Sequence, residues 1–219
     1  MDVRGSQPGS DYTREFAELS GRPGHPLHSK LAVFYADGND FGQHARDARE
    51  TGDPQALRDW DRTIKQYRRQ FLDVLITRAQ DEAHGAAWRT AAGALRIETL
   101  LWGGDEFMIA VPAWCGFELA SMFLAASETM DYPPGSGSRL THACGLVFCS
   151  HRTPISHIAA LAKRLADQGK QDGKAHDSLN WLVLESLDHA GDSLGQYLKQ
   201  RFPERDDMTW KALALDRQT

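Results

Sequence analysis

Residues 100–111, LLWGGDEFMIAV, constrain the fold more tightly than any other stretch of this sequence. Two apolar runs flank Gly103-Gly104, and the turn runs straight into Asp105 and Glu106, which reads as a tight β-hairpin with carboxylates at its bend. Glycine at both turn positions permits positive φ and leaves no Cβ, so phosphates or a ribose can approach the backbone closely. Two adjacent acids at a partly buried bend repel each other at a cost in stability unless a hard cation sits with them.

A third acid is delivered by an earlier segment. Residues 30–36, KLAVFYA, form an apolar run of strand length that ends in Asp37-Gly38-Asn39-Asp40-Phe41-Gly42, a turn-rich acidic loop. Residues 1–29 are rich in Gly, Pro, Ser and His and read as a flexible arm with one short helical possibility over 12–19. Over 54–82 Trp60, Ile64, Tyr67, Phe71 and Leu75 recur at three and four residues, the core face of a helix. Its opposite face carries Arg58, Arg62, Lys65 and Arg69, a stripe suited to guiding phosphates but read as a solvated helix face. The hairpin arms span 94–102 and 106–112. A helix over 116–127, a loop with DYPPGSGS, a strand over 140–149, a helix opened by Thr153-Pro154, a strand over 179–184 and a closing helix over 192–201 complete the order.

This order contains a split βαββαβ unit, so the expected class is α+β: a ferredoxin-like fold with an extra helix and strand, its mixed antiparallel sheet covered by helices. In that topology the first and third strands are antiparallel neighbours, which brings Asp37 beside Asp105 and Glu106. Three carboxylates at one sheet edge next to a Gly-Gly turn suit two-metal phosphoryl transfer, with Mg²⁺ or Mn²⁺ favoured by the oxygen donors. The expected division is an arm at 1–29, one domain at 30–189, and a C-terminal helix and tail at 190–219.

Composition narrows the alternatives. With 41% apolar and 25% charged residues in 219, the chain is an ordinary globular one, and no apolar run approaches a membrane span. A start without the apolar core of a signal peptide reads as cytoplasmic. A net charge of −5 argues against bulk nucleic-acid binding. Cys115, Cys144 and Cys149, odd in number and without CxxC spacing, read as reduced core residues. His142, His151 and His157 follow no ligand spacing, Ser138 and Ser178 lack a nucleophile setting, and no P-loop motif is present.

LLWGGDEFMIAVPA resembles the signature hairpin of the nucleotidyl-cyclase palm superfamily, which includes diguanylate cyclases and the palm domains of the type III CRISPR large subunit. LAVFYADGNDFG is similar to the DGN-type first motif of the CRISPR branch, and THACGLVFCSHRTPISHIAALAKRLADQGK followed by HDSLNWLVLES to its later strand, Pro-Ile helix start, helix lysine and final strand. With no room for the nuclease or second palm of a full CRISPR subunit, the expected relative is a stand-alone minimal CRISPR polymerase. The resemblance implies metal binding by Asp37, the Gly38 carbonyl, and one or both of Asp105 and Glu106, with these three carboxylates catalytic and two ions held. It implies a nucleotide lined by Gly38, Asn39, Asp40, Phe41, Gly42, Gly103 and Gly104, and a triphosphate held by Lys170, with Lys163 the nearby alternative.

The departures bear on the base. A diguanylate cyclase carries DxDxFK, whereas Asn39 stands at the second acid and Gly42 at the lysine; Ala45 replaces its guanine-reading Asn, and no inhibitory RxxD is in register over 94–97. ATP is therefore placed before GTP, and an adenine-containing cyclic product before c-di-GMP, by analogy with the CRISPR branch. The expectation is a homodimeric cyclic oligonucleotide synthase of bacterial antiviral defence, whose product is read by a downstream effector protein. Its competitors are a catalytically inactive nucleotide sensor and a plain ferredoxin-like interaction module.

Overall fold

The computed structural model describes residues 12–171 and 173–184 together with the backbone of 213–214. The helix expected over 192–201, residues 1–11 of the arm and most of the tail lie outside the described residues. A short helix α1 (Phe16–Leu19) precedes β1 (Lys30–Gly38), α2 (Phe41–Glu50), α3 (Pro54–Gln80), β2 (Glu98–Trp102), β3 (Glu106–Pro112), α4 (Gly116–Ser127), β4 (His142–Ser150), α5 (Ile155–Gln171), β5 (Ser178–Val183) and the two-residue β6 (Leu213–Ala214). The sheet order is β2-β3-β1-β4-β5-β6, with β4 and β5 parallel and every other pair antiparallel. This is the expected α+β class, a mixed sheet with helices packed on it.

β1 is central and buried on both faces, which is why its sequence is a continuous apolar run and not an alternating one. Leu31, Val33 and Tyr35 pack with Ile158, Leu161, Ala162 and Leu165 of α5. Ala32, Phe34 and Ala36 pack on the other side with Phe71 and Leu75 of α3 and Phe123 of α4. α3 begins where Pro54 follows Asp53, whose carboxylate accepts the Gln55 N–H at 2.8 Å. Its Trp60, Ile64, Phe71 and Leu75 are buried, the core face that the periodicity predicts.

Two local features differ from the sequence expectation. The acidic loop after β1 is short, because Asp40, at φ 57°, stands at the N-cap position of a further helix, α2, from Phe41 onward. α2 is polar on average and buries only Phe41 and Ala48, so few apolar residues mark its core face in the sequence. In the hairpin, Gly103 N–H donates to the Glu106 carbonyl at 2.9 Å, and neither turn glycine lies in the left-handed region. What the glycines supply is room: a Cβ on Gly104 would meet nothing within 4 Å.

α5 lies very close to the sheet. A Cβ on Gly145 of β4 would sit 2.0 Å from the Ala162 carbonyl oxygen, so only glycine admits the helix at this depth. That approach fixes how far the side chains of Lys163 and Lys170 reach across the sheet. Cys115, Cys144 and Cys149 are buried free thiols, as expected.

Candidate active site

Asp37, the penultimate residue of β1, is the direct register partner of Glu106 on β3 and of Ala143 on β4. The adjacent Gly38 N–H donates to the Asp105 carbonyl at 3.0 Å, so the first acidic loop and the hairpin bend are tied through backbone. Gly38 has no alternative here, since a Cβ would lie 2.4 Å from the Phe41 ring. Phe41 itself is buried, edge-on to Trp60 and to His142, and Ala45 packs against the same core. Gly42 follows it, exposed in the first turn of α2.

Every carboxylate at this edge faces a cation. Asp37 pairs with Lys170, Glu106 with Lys163 at 3.2 Å, and Asp40 with Lys174 at 2.5 Å. Asp105 is exposed and lines a small pocket with Arg68, Tyr67 and Phe107. Burial pushes the Arg68 guanidinium below its usual range, and the charges of Asp105 and Asp61 pull it back. The structure thus joins Asp37 and Glu106 on the α5 side and sets Asp105 toward α3. Both lysines weighed in the sequence reach the site, each on a different carboxylate.

Tyr35 was not singled out in the sequence, because within KLAVFYA it reads as one more core residue. Its hydroxyl donates to Glu106 Oε2 at 2.5 Å, and the Lys163 ammonium lies 5.3 Å from its ring centroid. The Tyr35 hydrogen bond is the main reason the Glu106 carboxyl is held below its ordinary value; burial opposes it and Lys163 adds to it. Burial, reinforced by this bond and by the charge of Asp37, raises the Tyr35 hydroxyl well above its usual range, so it stays a donor.

Beneath the loop is a buried polar network. Asn39 N–H donates to the Thr141 carbonyl at 2.8 Å and its Nδ2 to Thr141 Oγ1 at 3.0 Å, while its buried Oδ1 has no hydrogen-bond partner. Next to Thr141, His142 N–H donates to Asp177 Oδ1 at 2.7 Å, Ser127 Oγ donates to the same oxygen at 2.9 Å, and Arg139 pairs with Asp177. With its one proton given to Asp177, the Ser127 hydroxyl accepts from His142 Nδ1–H at 2.7 Å. Ser127 is fully buried, so this Ser-His-Asp set is a support for the loop and no nucleophile.

Among the described residues no group of three or more His, Cys, Asp or Glu side chains lies close enough to hold a metal ion. The donor chemistry nonetheless fits a hard divalent cation. Asp37 and Glu106 are neighbouring oxygen donors, and two ammonium groups supply the positive charge that such an ion would bring.

No protein-family model matches the sequence, and no curated protein matches it. Solved structures do. Csm1 of T. onnurineus superposes with a TM-score of 0.56 at 22% identity, over 76% of this chain and 22% of Csm1. The Csm1–Csm4 cassette in complex with cA4 gives 0.53 at 22% identity, over 78% and 23%, and the cassette with pppApA gives 0.52 at 22% identity, over 74% and 22%. The chain therefore spans under a quarter of the proteins it resembles, and the likeness is one of fold: that of the palm region of Csm1.

Proposed function

We propose that this chain is a metal-dependent nucleotidyltransferase that condenses and cyclises nucleoside triphosphates, ATP first, into a cyclic oligonucleotide signal. The observation that carries the reading is the register pairing of Asp37 with Glu106 at the sheet edge, each met by a lysine of α5, beside an unobstructed Gly-Gly turn. The fold similarity supports it, since the Csm1–Csm4 cassette has been solved with AMPPNP, with pppApA and with cA4.

Asp37, the Gly38 carbonyl and Glu106 are the residues that would hold the ion, with Asp105 joining them on turning from Arg68. A divalent ion held there would activate a ribose hydroxyl and neutralise the triphosphate. Lys163 and Lys170, released from their carboxylates, hold the triphosphate oxygens as point charges. Tyr35 keeps Glu106 ionised and oriented. Gly103 and Gly104 let the nucleotide lie against backbone. Each condensation forms a bond between a ribose oxygen and an α-phosphorus and releases pyrophosphate. One palm offers one such site, so closing a ring calls for two chains facing each other as a homodimer.

The deciding experiment incubates the protein with each triphosphate singly and all four together, in Mg²⁺ and in Mn²⁺, and separates products by mass. A cyclic adenylate made by the wild type and not by Asp105→Asn/Glu106→Gln supports the reading. A second reading, a nucleotide sensor without turnover, is favoured by the pairing of Asp37 and Glu106 with lysines. Metal-dependent ATP binding with no product in any mixture would select it.

A further inference from the structure

Between the middle of α3 and the hairpin turn lies a cleft of about 540 Å³ that shares only the Gly103-Gly104 turn with the catalytic reading. Its α3 wall carries Lys65, Arg68 and Arg69, and its opposite wall is Trp102, Gly103 and Gly104. This is the size of a site for one small ligand. Lys65 is paired with Asp61, which also lines the cleft, at 2.7 Å, but Arg69 has no ion-pair partner among the described residues. The Nη2 of Arg68 is buried without a hydrogen-bond partner, which leaves a guanidinium donor unspent at the junction of this cleft with the Asp105 pocket. Trp102 is 39% exposed and its ring is braced by Phe107 at 5.5 Å, a fixed aromatic face open to solvent. Beyond the cleft the basic face continues along α3 through Arg62 and Arg58.

An aromatic platform and guanidinium groups lining one cleft of this size are the elements that bind single-stranded nucleic acid: a base stacks while cations follow the backbone. We propose that this cleft binds one unit of a short single-stranded oligonucleotide, its base on Trp102 and its phosphates on Arg68 and Arg69. The inference rests on the nucleotidyltransferase reading for the class of its ligand. The bound unit lies next to the Gly-Gly turn, where the neighbouring unit reaches the Asp37–Glu106 edge. The cleft would thus hold a linear chain between successive additions. A net charge of −5 on the whole protein confines such binding to this local face.

The test is fluorescence anisotropy of the full chain with 5′-labelled linear tetra-adenylate RNA in metal-free buffer, run beside a thermal-shift assay with ATP and Mn²⁺. Trp102→Ala is expected to weaken tetra-adenylate binding about tenfold, with Trp102→Phe recovering most of it. Arg69→Ala, which removes no internal partner, is expected to lower the slope of log affinity against log salt by about 0.7. Wild-type binding unchanged in all three variants overturns the cleft. So does displacement of the RNA by inorganic triphosphate at equal phosphate concentration with Trp102→Ala silent, which marks a mere anion patch. No RNA binding with the ATP–Mn²⁺ shift intact overturns the cleft and leaves the proposed function standing. RNA binding through the cleft with no ATP–Mn²⁺ shift keeps the cleft and removes that function.

Discussion

Lys170 of α5 and Asp37 of β1, 133 residues apart in the chain, form an ion pair at the end of the sheet. With Lys163 on Glu106, it gives each of the two register-paired carboxylates a counter-charge. On the proposed function, a metal ion would compete with a lysine for each carboxylate, and nucleotide phosphates would offer the displaced lysines a new partner.

The first prediction follows from that competition. Lys170→Ala leaves the Asp37 carboxylate without its counter-charge, and the side chains of the pair are only 25% and 17% exposed. The expected loss is about 1–2 kcal/mol, below that of a fully buried pair because water still reaches both groups. Manganese alone is expected to restore more melting temperature to Lys170→Ala than it adds to the wild type. Equal manganese shifts in the two proteins would show that the lysine and the metal do not share a site.

A second prediction concerns pH. Glu106 is held below its ordinary value of 4.5, first by the Tyr35 hydroxyl. A carboxyl whose folded value is depressed contributes stability that is full above the unfolded value and lost as pH falls through the folded one. Tyr35→Phe is thus expected to cost about 1–2 kcal/mol at neutral pH. The gap to wild type in urea denaturation should narrow as pH drops below 4.5. A gap constant from neutral to acid pH would assign Tyr35 to packing alone.

What could be read from the sequence divides along physical lines. The edges of β1, β3, α4 and α5 were legible because a strand buried on both faces is a continuous apolar run and a packed helix repeats at 3.6 residues. Split βαββαβ topology then carried Asp37 to Glu106. Tyr35 was not legible, since its polar partner is 71 residues away and only strand register brings them together. Lys163 and Lys170 stand seven residues apart, two helical turns on one face, a spacing that signals a joint role in place of a choice between them. The placing of Asp105 near Arg68 and the Ser127–His142–Asp177 network depend on how α3, α4, the start of β4 and two loops dock, which no local pattern encodes.

Gly38→Ala provides a third prediction. The added methyl would lie 2.4 Å from the Phe41 ring, and Phe41 is wedged against Trp60 and His142, so the ring cannot swing aside. Overpacking of this kind costs about 1–3 kcal/mol. The strain falls on the loop that carries Asp37, so the thermal shift with ATP and Mn²⁺ is expected to shrink as well. A variant that melts lower yet keeps the full nucleotide shift would separate the loop from binding.

The last prediction tests the support under that loop. Asp177 is 1% exposed and satisfies the His142 N–H, the Ser127 hydroxyl and the Arg139 guanidinium together; hydrogen bonds from His142 and Ser127 outweigh its burial and keep its carboxyl below the usual range. Asp177→Ala leaves those donors buried without an acceptor and is expected to cost about 3–5 kcal/mol by urea denaturation. Asp177→Asn keeps an acceptor but not the charge, and should lose roughly half as much. His142 is the register partner of Gly38, and its neighbour Thr141 holds Asn39 by both backbone and side chain. Loss of the network therefore loosens the start of β4 and, through it, the Asp37 loop. Amide exchange in Asp177→Asn is expected to rise at Gly38 and Asn39 before it rises in the middle of β1. If protection there stays at the wild-type level while global stability falls, the network serves the core and not the site.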